Sequence, residues 1–268
     1  MHKSAFFFSM LCAINTVTLA GSAQDNDILA NAYRAELRFR EGHAEVAQPL
    51  VKTLEDAVAR SADNARLWEA LGHAYMSLQG SMYAGPLDMP ALIAVGEHAR
   101  DAYARSLALD GNSALVRASH GMSQMVVSQL KGDGPGVVAG VDEMNAAVRL
   151  APRSTAVRLT RAFTIIHLPP EMRDTNAVIE DLGLILDTAP GGRPEDVLHV
   201  MLGDVYAEVG RTAAAREEYR QVTGASAFAA EQAKLRLSQD SVSPAAITLV
   251  RQGTGTRCAM CHAPGTDQ

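Results

Sequence analysis

The sequence of 268 residues predicts an all-α protein, an α-solenoid of about five helical hairpins closed by a capping helix. Hydrophobic residues make up 47% of the chain but aromatic residues only 5%, a composition that favours close packing of helices. One stretch, His199–Val222, has the order of small and aromatic residues expected of two helices that face each other. Related orders recur upstream, and because one hairpin cannot bury its own apolar face, the hairpins are expected to stack.

Within that stretch the small and aromatic residues follow at fixed spacings. If Leu202 is position 7 of a hairpin, then Gly203 is 8, Tyr206 is 11, Ala215 is 20 and Tyr219 is 24. This order resembles the tetratricopeptide repeat, a helical hairpin of about 34 residues. Gly210 is expected to end the first helix with a left-handed cap. The resemblance covers roughly residues 30–237. It implies that the concave repeat surface binds a protein or peptide partner.

The first 23 residues have the pattern of a secretory signal peptide. A weakly basic start precedes an apolar run from Ala5 to Ile14, and Gly21-Ser22-Ala23 offers a cleavage site before Gln24. The run is too short to cross a membrane as a stable helix. The alternative to a signal peptide is a buried N-terminal helix. We therefore expect an exported, periplasmic protein with no transmembrane segment after signal removal.

Two helices are expected before the first clear repeat. Residues 25–41 predict an opening helix with Asp25 and Asn26 as cap candidates, and Gly42 ends it. The run Val46–Ala59 has apolar residues at helical spacing and predicts the second helix. Together the two form a degenerate first hairpin.

The second and third hairpins are longer than the repeat. In the second, Trp68, Leu71-Gly72 and Tyr75 take positions 4, 7, 8 and 11, and Ala99, Tyr103 and Leu107 take positions 20, 24 and 28. About 15 extra residues, roughly Ser77 to Val95, predict a loop with a short helical turn, because they contain several glycines and prolines. In the third, Gly121 takes position 8 and Ala147 position 27, with about seven extra residues around Gly132–Gly136.

The remaining elements close the scaffold. In the fourth hairpin Ala162 replaces the glycine, Pro169-Pro170 ends the first helix and Ala189-Pro190 ends the second. After the fifth hairpin, Ala225–Leu237 predicts the capping helix, with Ala225, Phe228 and Leu235 on its apolar stripe. Residues 24–237 are thus expected to form the helical repeat domain, and residues 238–268 a flexible tail.

The tail carries Cys258-Ala259-Met260-Cys261-His262, the attachment signature of a c-type haem. Cys258 and Cys261 are expected to form thioethers with the haem vinyl groups, and His262 to be the proximal iron ligand. Cys12 leaves with the signal peptide, so no other thiol competes in the mature protein.

Two cysteines at this spacing have other uses besides haem attachment. A structural disulfide between Cys258 and Cys261 is the alternative outside the cytoplasm. A thioredoxin-like site would need a βαβ context, which the sequence lacks. Zinc would need a fourth ligand, and nothing nearby supplies one.

The place of the motif leaves the distal haem ligand open. Only Ala263–Gln268 follow it, whereas ordinary single-haem cytochromes c carry a methionine ligand well downstream of their motif. The motif of cytochromes c′ lies near the C-terminus, but on a four-helix bundle. The candidate ligands are Met82, Met89, Met172, His98, His120, His167 and His199. His120 and His199 fall on inward-facing positions of their hairpins, which favours packing over ligation.

Charged residues exclude some functions and leave others open. Arg117, Arg158 and Arg161 recur in the repeats and could meet a carboxylate, such as a haem propionate or a peptide terminus, although a solvated or salt-bridged face is the favoured interpretation. Net charge is −6 and basic residues form no run, so nucleic acid is not an expected partner. The sequence contains no nucleophile elbow, phosphate loop or HExxH pattern, so none of these motifs indicates an enzyme.

The leading hypothesis is therefore an exported c-type cytochrome with one haem, which carries electrons and docks a redox protein through its repeats. The alternative is a periplasmic scaffold or assembly factor whose haem is a sensor or is absent. A third hypothesis is an enzyme with an open coordination position on the iron.

Overall fold

The computed structural model describes residues 22–40, 42–83, 86–188 and 193–238. The regular structure of these ranges is entirely helical, with no strand, which confirms the all-α class for the described part of the chain. The helices are α1 (Ala23–Arg40), α2 (Ala47–Arg60), α3 (Ala65–Met82), α4 (Met89–Leu109), α5 (Ala114–Lys131), α6 (Gly134–Leu150), α7 (Thr155–Ile165), α8 (Thr175–Thr188), α9 (Arg193–Glu208), α10 (Thr212–Gln221) and α11 (Ala227–Leu237). Short 3-10 turns at Ala44–Val46 and Pro170–Met172 precede α2 and α8.

The helices pack in the order in which they follow along the chain. Each contacts mainly the helix before it and the helix after it, and α3 with α4 and α5 with α6 form the most extensive pairs. Only Gly132 and Asp133 separate α5 from α6, so the chain must reverse its direction there. Alternate helices also touch, as α1 with α3, α5 with α7 and α9 with α11.

Side-chain caps and left-handed glycines set the helix boundaries. The side chains of Asn64, Asp88, Ser113, Asp133, Ser154 and Ser226 each accept a hydrogen bond from a backbone N–H in the first turn that follows. Gly210 has φ 75° after α9, and the N–H of Arg211 donates to Tyr206 O at 2.8 Å. The expected left-handed cap at Gly210 is therefore confirmed.

The cap of α1 differs from the prediction. Ser22 Oγ accepts from the N–H of Asp25 at 3.1 Å, so Ser22 caps the helix rather than Asp25 or Asn26. Asp25 is buried and accepts from Ser61 Oγ at 3.2 Å and from Asn64 Nδ2 at 3.3 Å. The carboxylate thus joins α1 to the turn between α2 and α3.

The predicted loop from Ser77 to Val95 is wrong over most of its length, because residues 77–82 and 89–95 are helical. The extra residues lengthen both helices, since α3 runs on to Met82 and α4 already begins at Met89. Pro90 lies in the first turn of α4, where no backbone donor is needed, and Asp88 Oδ1 caps that helix by accepting from Ala91 N–H at 3.1 Å. Pro135 and Asp133 play the same parts at the start of α6, so the extra residues of the third hairpin are helical as well.

Small residues let facing helices approach closely in three hairpins. A Cβ atom added to Gly72 would lie 2.6 Å from Cε1 of Tyr103, and one added to Gly203 would lie 2.4 Å from Cε1 of Tyr219. In the third hairpin a Cβ on Gly121 would lie 2.6 Å from the carbonyl oxygen of Gly140. The glycine positions of the sequence pattern are thus the crossing points of the helices.

The buried face of the capping helix differs from the predicted stripe. Ala225 and Leu235 are exposed, whereas Ala229, Ala233 and Arg236 are buried. Ala229 and Ala233 pack against Tyr219 and Val200 in one apolar cluster. Because these buried side chains are small or charged, a search for large apolar residues selects the wrong face.

The fourth hairpin forms around the two prolines. Helix α7 ends at Ile165, and Pro170 begins a 3-10 turn that leads to α8, as Pro169-Pro170 predicted. The expected end of α8 at Ala189-Pro190 lies outside the described residues. None of the helices in the described ranges has the length and hydropathy needed to span a membrane.

Candidate functional site

The predicted haem-attachment residues Cys258, Cys261 and His262 lie outside the described residues, as does the tail from residue 239 onward. The predicted signal peptide lies outside them too, apart from Ser22 and Ala23. Within the described helices the candidate site is a groove of about 610 Å³ that lies over α3 between α2 and α4. We call it the α3 groove. Its lining residues are Glu55, Val58, Ala59, Ala62, Trp68, Leu71, Tyr75, His98, Asp101, Ala102 and Arg105.

The floor of the α3 groove is aromatic and aliphatic. Trp68, Leu71 and Tyr75 lie on one face of α3 because they are spaced by three and four residues. Leu71 is 3% exposed and Tyr75 8%, so both belong to the core as well as to the groove. The indole Nε1 of Trp68 donates to Ala62 O at 2.9 Å, which fixes the ring at the end of the floor.

A chain of contacts crosses the groove from α2 to α4. The Tyr75 hydroxyl donates to Glu55 Oε1 at 2.5 Å. The imidazole of His98 stacks on the Tyr75 ring, with the ring centroids 5.2 Å apart and the planes inclined by 26°. Burial and the Glu55 carboxylate raise the pKa of the Tyr75 phenol above its usual value, so Tyr75 stays a neutral hydrogen-bond donor.

The two arginines beside the groove differ in whether they have an ion-pair partner. Arg100 donates to Asp101 Oδ1 from Nε at 2.9 Å and from Nη2 at 2.7 Å. Arg105 is exposed and forms no ion pair within the described ranges. The guanidinium of Arg105 is therefore available to a carboxylate from elsewhere.

The other candidate haem ligands are spread along the scaffold. Met89 is exposed at the start of α4, Met172 is exposed at the end of the 3-10 turn that precedes α8, and Met82 is the last residue of α3. Nδ1 of His120 lies 2.5 Å from Oε2 of Glu143, and Nδ1 of His199 lies 2.8 Å from Oε2 of Glu218. The structure thus brings none of these residues to the α3 groove, and only His98 lies there. His167 lines a second cavity of about 510 Å³, with Gln129, Pro169, Pro170 and Glu171.

The recurring arginines meet carboxylates of the protein itself. Asp181 is fully buried and accepts from Arg158 Nη1, Arg161 Nε and Arg161 Nη2, each at 2.7 Å. Arg117 Nη1 lies 3.8 Å from Glu143 Oε1 at a more exposed position. The salt-bridged interpretation is confirmed for these arginines, although Arg158 and Arg161 are buried rather than solvated.

Two further buried arginines were not found from the sequence. Arg236 of α11 donates to both carboxylate oxygens of Asp204, at 2.5 and 2.8 Å, and so attaches the capping helix to α9. Arg173 donates to Leu168 O and pairs with Glu208. In the sequence these residues look like ordinary surface charges, and only their buried neighbours distinguish them.

Comparisons with known proteins add no assignment, and metal ligands do not cluster in the described helices. No protein-family model matches the chain, and a search of curated proteins finds no significant match. The described residues contain no group of three or more histidine, cysteine, aspartate or glutamate side chains that could hold a metal ion.

Proposed function

We propose that the protein is an exported c-type cytochrome with one haem, in which an α-solenoid of tetratricopeptide type carries a haem-bearing tail. The observation that carries the proposal is the sequence Cys258-Ala259-Met260-Cys261-His262 in a chain that begins with a secretory pattern. The haem supplies a one-electron iron couple when it is bound.

The donor set of the tail fits a covalently attached haem. The thiols of Cys258 and Cys261 would hold the haem: each would add its S–H across the C=C bond of one vinyl group. The S–H bond and the vinyl π bond would break, one C–S and one C–H bond would form, and the addition would need no oxidant or reductant. The imidazole of His262 directly follows the second thiol and is a neutral nitrogen donor suited to iron. The described helices contain no cysteine, so the scaffold offers no competing thiol.

Contacts at equivalent positions support the tetratricopeptide-type scaffold. Position 8 is glycine in the second and fifth hairpins, and in both it packs against the position-24 tyrosine, Tyr103 or Tyr219. In the third hairpin Gly121 at position 8 meets Met144, which is position 24 when Ala147 is 27. The same two positions meeting in three hairpins is what a repeating unit requires.

The proposal includes a redox protein as partner, docked on the repeats. The runner-up is a periplasmic scaffold in which the haem is a sensor or absent. The α3 groove is a surface of the described helices that could bind a ligand or a partner under either proposal. Haem content separates the two.

The test is the intact mass and pyridine haemochrome spectrum of protein exported from a host that matures c-type cytochromes. We expect the mass of a chain starting at Gln24 plus one haem, and the spectrum of a haem joined by two thioethers. Cys261→Ala should remove the two-thioether adduct and leave the helical content largely intact. Exported protein without haem would refute the cytochrome proposal and favour the scaffold.

A further inference from the structure

We propose that the haem-bearing segment 258–262 docks in the α3 groove of its own chain, where His98 is the distal ligand of the iron. The inference rests on the proposed attachment of haem to Cys258 and Cys261. It adds to that proposal a docking site, a second axial ligand and a partner for a propionate.

The α3 groove has the size and surface that a porphyrin needs. The groove is open to solvent on one side, and its volume of about 610 Å³ lies within the range of about 300–1,000 Å³ typical of sites for small ligands and cofactors. The floor offers the Trp68 ring to a flat aromatic macrocycle, with Leu71 and Val58 as apolar neighbours, while the Tyr75 ring is covered by His98. Polar groups lie at the two walls, so a bound haem would keep its charged edge at the rim.

His98 is the histidine that lines the α3 groove, and its ring contacts Tyr75, as that of His73 contacts Tyr103 outside the groove. His43, His120 and His199 each place Nδ1 against a glutamate oxygen, at 3.1, 2.5 and 2.8 Å. His98 is exposed, stacks on Tyr75 and forms no hydrogen bond or ion pair within the described ranges. Because Tyr75 is itself anchored by Glu55, the His98 ring is oriented while its nitrogens stay accessible to a metal.

Arg105 completes the site with a positive charge. It follows His98 by seven residues on the same face of α4, about two helical turns or roughly 10 Å away. A propionate carboxylate could accept two hydrogen bonds from its guanidinium. Of the two carboxylates in the lining, Asp101 is paired with Arg100 and Glu55 accepts from the Tyr75 hydroxyl at the opposite wall, so Arg105 is the cation of the lining that can meet a propionate.

The tail is long enough to reach the groove. Nineteen residues, 239–257, lie between the last described residue and Cys258. They can span at most roughly 65 Å when extended. Eight helix steps separate α11 from α3. In the proposed solenoid the helices form two layers, so eight helix steps advance by about four helix spacings of roughly 9 Å each, a path of roughly 36 Å.

The test compares the ferric haem spectra of the mature holoprotein, His98→Ala and the control His43→Ala. We expect low-spin, six-coordinate haem in the wild type and in His43→Ala, because His43 lies in the connection between α1 and α2 and does not line the groove. His98→Ala should give high-spin, five-coordinate haem, and added imidazole should restore the low-spin spectrum. Circular dichroism should show unchanged helical content in both variants.

Trp68 gives a second readout that needs no change to the groove. It is the only tryptophan in the sequence and it lines the α3 groove. Its fluorescence should be largely quenched in the holoprotein, and should recover in the haem-free Cys258→Ala/Cys261→Ala variant. The quenching should not change on dilution, because the haem and the groove belong to one chain.

Each other outcome overturns the inference. A haem that stays low-spin in His98→Ala has its distal ligand elsewhere, and a high-spin wild type has no such ligand. Unquenched Trp68 in the holoprotein places the haem away from the groove, and quenching lost on dilution assigns it to a second copy. In all of these the attached haem still upholds the proposed function, whereas protein without haem refutes both.

Discussion

Replacing Asp181 by asparagine should destabilise the scaffold more than any other single charge removal in the fourth hairpin. Asp181 is 0% exposed, and its partners Arg158 and Arg161 are 5% and 7% exposed. The substitution keeps the size of the side chain but leaves two buried guanidinium groups without their shared counter-charge.

The magnitude follows from what would remain around the two arginines. Arg158 would keep Pro152 O at 2.6 Å and Glu180 Oε1 at 2.9 Å, and Arg161 would keep Asn145 Oδ1 at 2.9 Å. These contacts do not replace a fully desolvated carboxylate. Breaking a buried ion pair by removing one partner costs about 3–5 kcal/mol, and we expect Asp181→Asn to fall in that range.

Glu180→Gln is the matched control, since it removes the neighbouring carboxylate on the same helix. The Glu180 side chain is 64% exposed, and surface ion pairs contribute about 0–1 kcal/mol. The assay is urea unfolding of both variants followed by circular dichroism, with the shift in midpoint converted by the common slope. Equal losses in the two variants, or a loss below about 1 kcal/mol for Asp181→Asn, would refute the reasoning from burial.

Two further predictions concern packing and pH. Gly203→Ala should destabilise the fifth hairpin by about 1–3 kcal/mol, because the new Cβ would lie 2.4 Å from the buried Tyr219 ring. Gly183→Ala in α8 should stabilise the protein by about 0.5–1 kcal/mol, because its new Cβ would have no neighbouring atom within 4 Å. Thermal unfolding of the pair measures both, and equal signs would contradict the packing argument. Burial and the Asp204 carboxylate raise the pKa of Tyr219, so the folded state keeps a proton that the unfolded state loses. Stability should therefore fall as pH rises past about 10, with a smaller fall in Tyr219→Phe, and an identical pH dependence in the two proteins would count against it.

The helices could be predicted from the sequence because their pattern is local. Apolar spacing, cap residues and Gly210 place most boundaries within a few residues of those observed. The loop prediction at Ser77–Val95 was wrong because proline and glycine break a helix interior but are accepted at its first turn, and only the cap at Asp88 distinguishes the two cases.

The candidate site could be predicted only in part. The haem-attachment motif is read from the sequence, and so is His98 as one of several possible ligands. The α3 groove could not be predicted, because it depends on how far apart α2 and α4 lie over α3. Arg105 gave no signal, since an exposed arginine looks the same in sequence whether or not a carboxylate faces it.

Three polar pairs that cross the hairpins follow one positional rule, which the sequence contains but which large apolar residues hide. His120, Arg161 and His199 occupy positions 7, 7 and 4 of their hairpins, and each meets an acid on the second helix. The acids Glu143, Asp181 and Glu218 all fall at position 23, taking Ala147 as 27, Pro190 as 32 and Tyr219 as 24. In the second hairpin, where Trp68 and Leu71 take positions 4 and 7, position 23 is Ala102 and no such pair forms. In these three hairpins a base at position 4 or 7 meets an acid at position 23, because the two positions face each other across the hairpin, where a polar group without a partner would be costly. The α3 groove opens over this second hairpin. Trp68 and Leu71, which take the place of the bases at positions 4 and 7, form part of the floor of the groove.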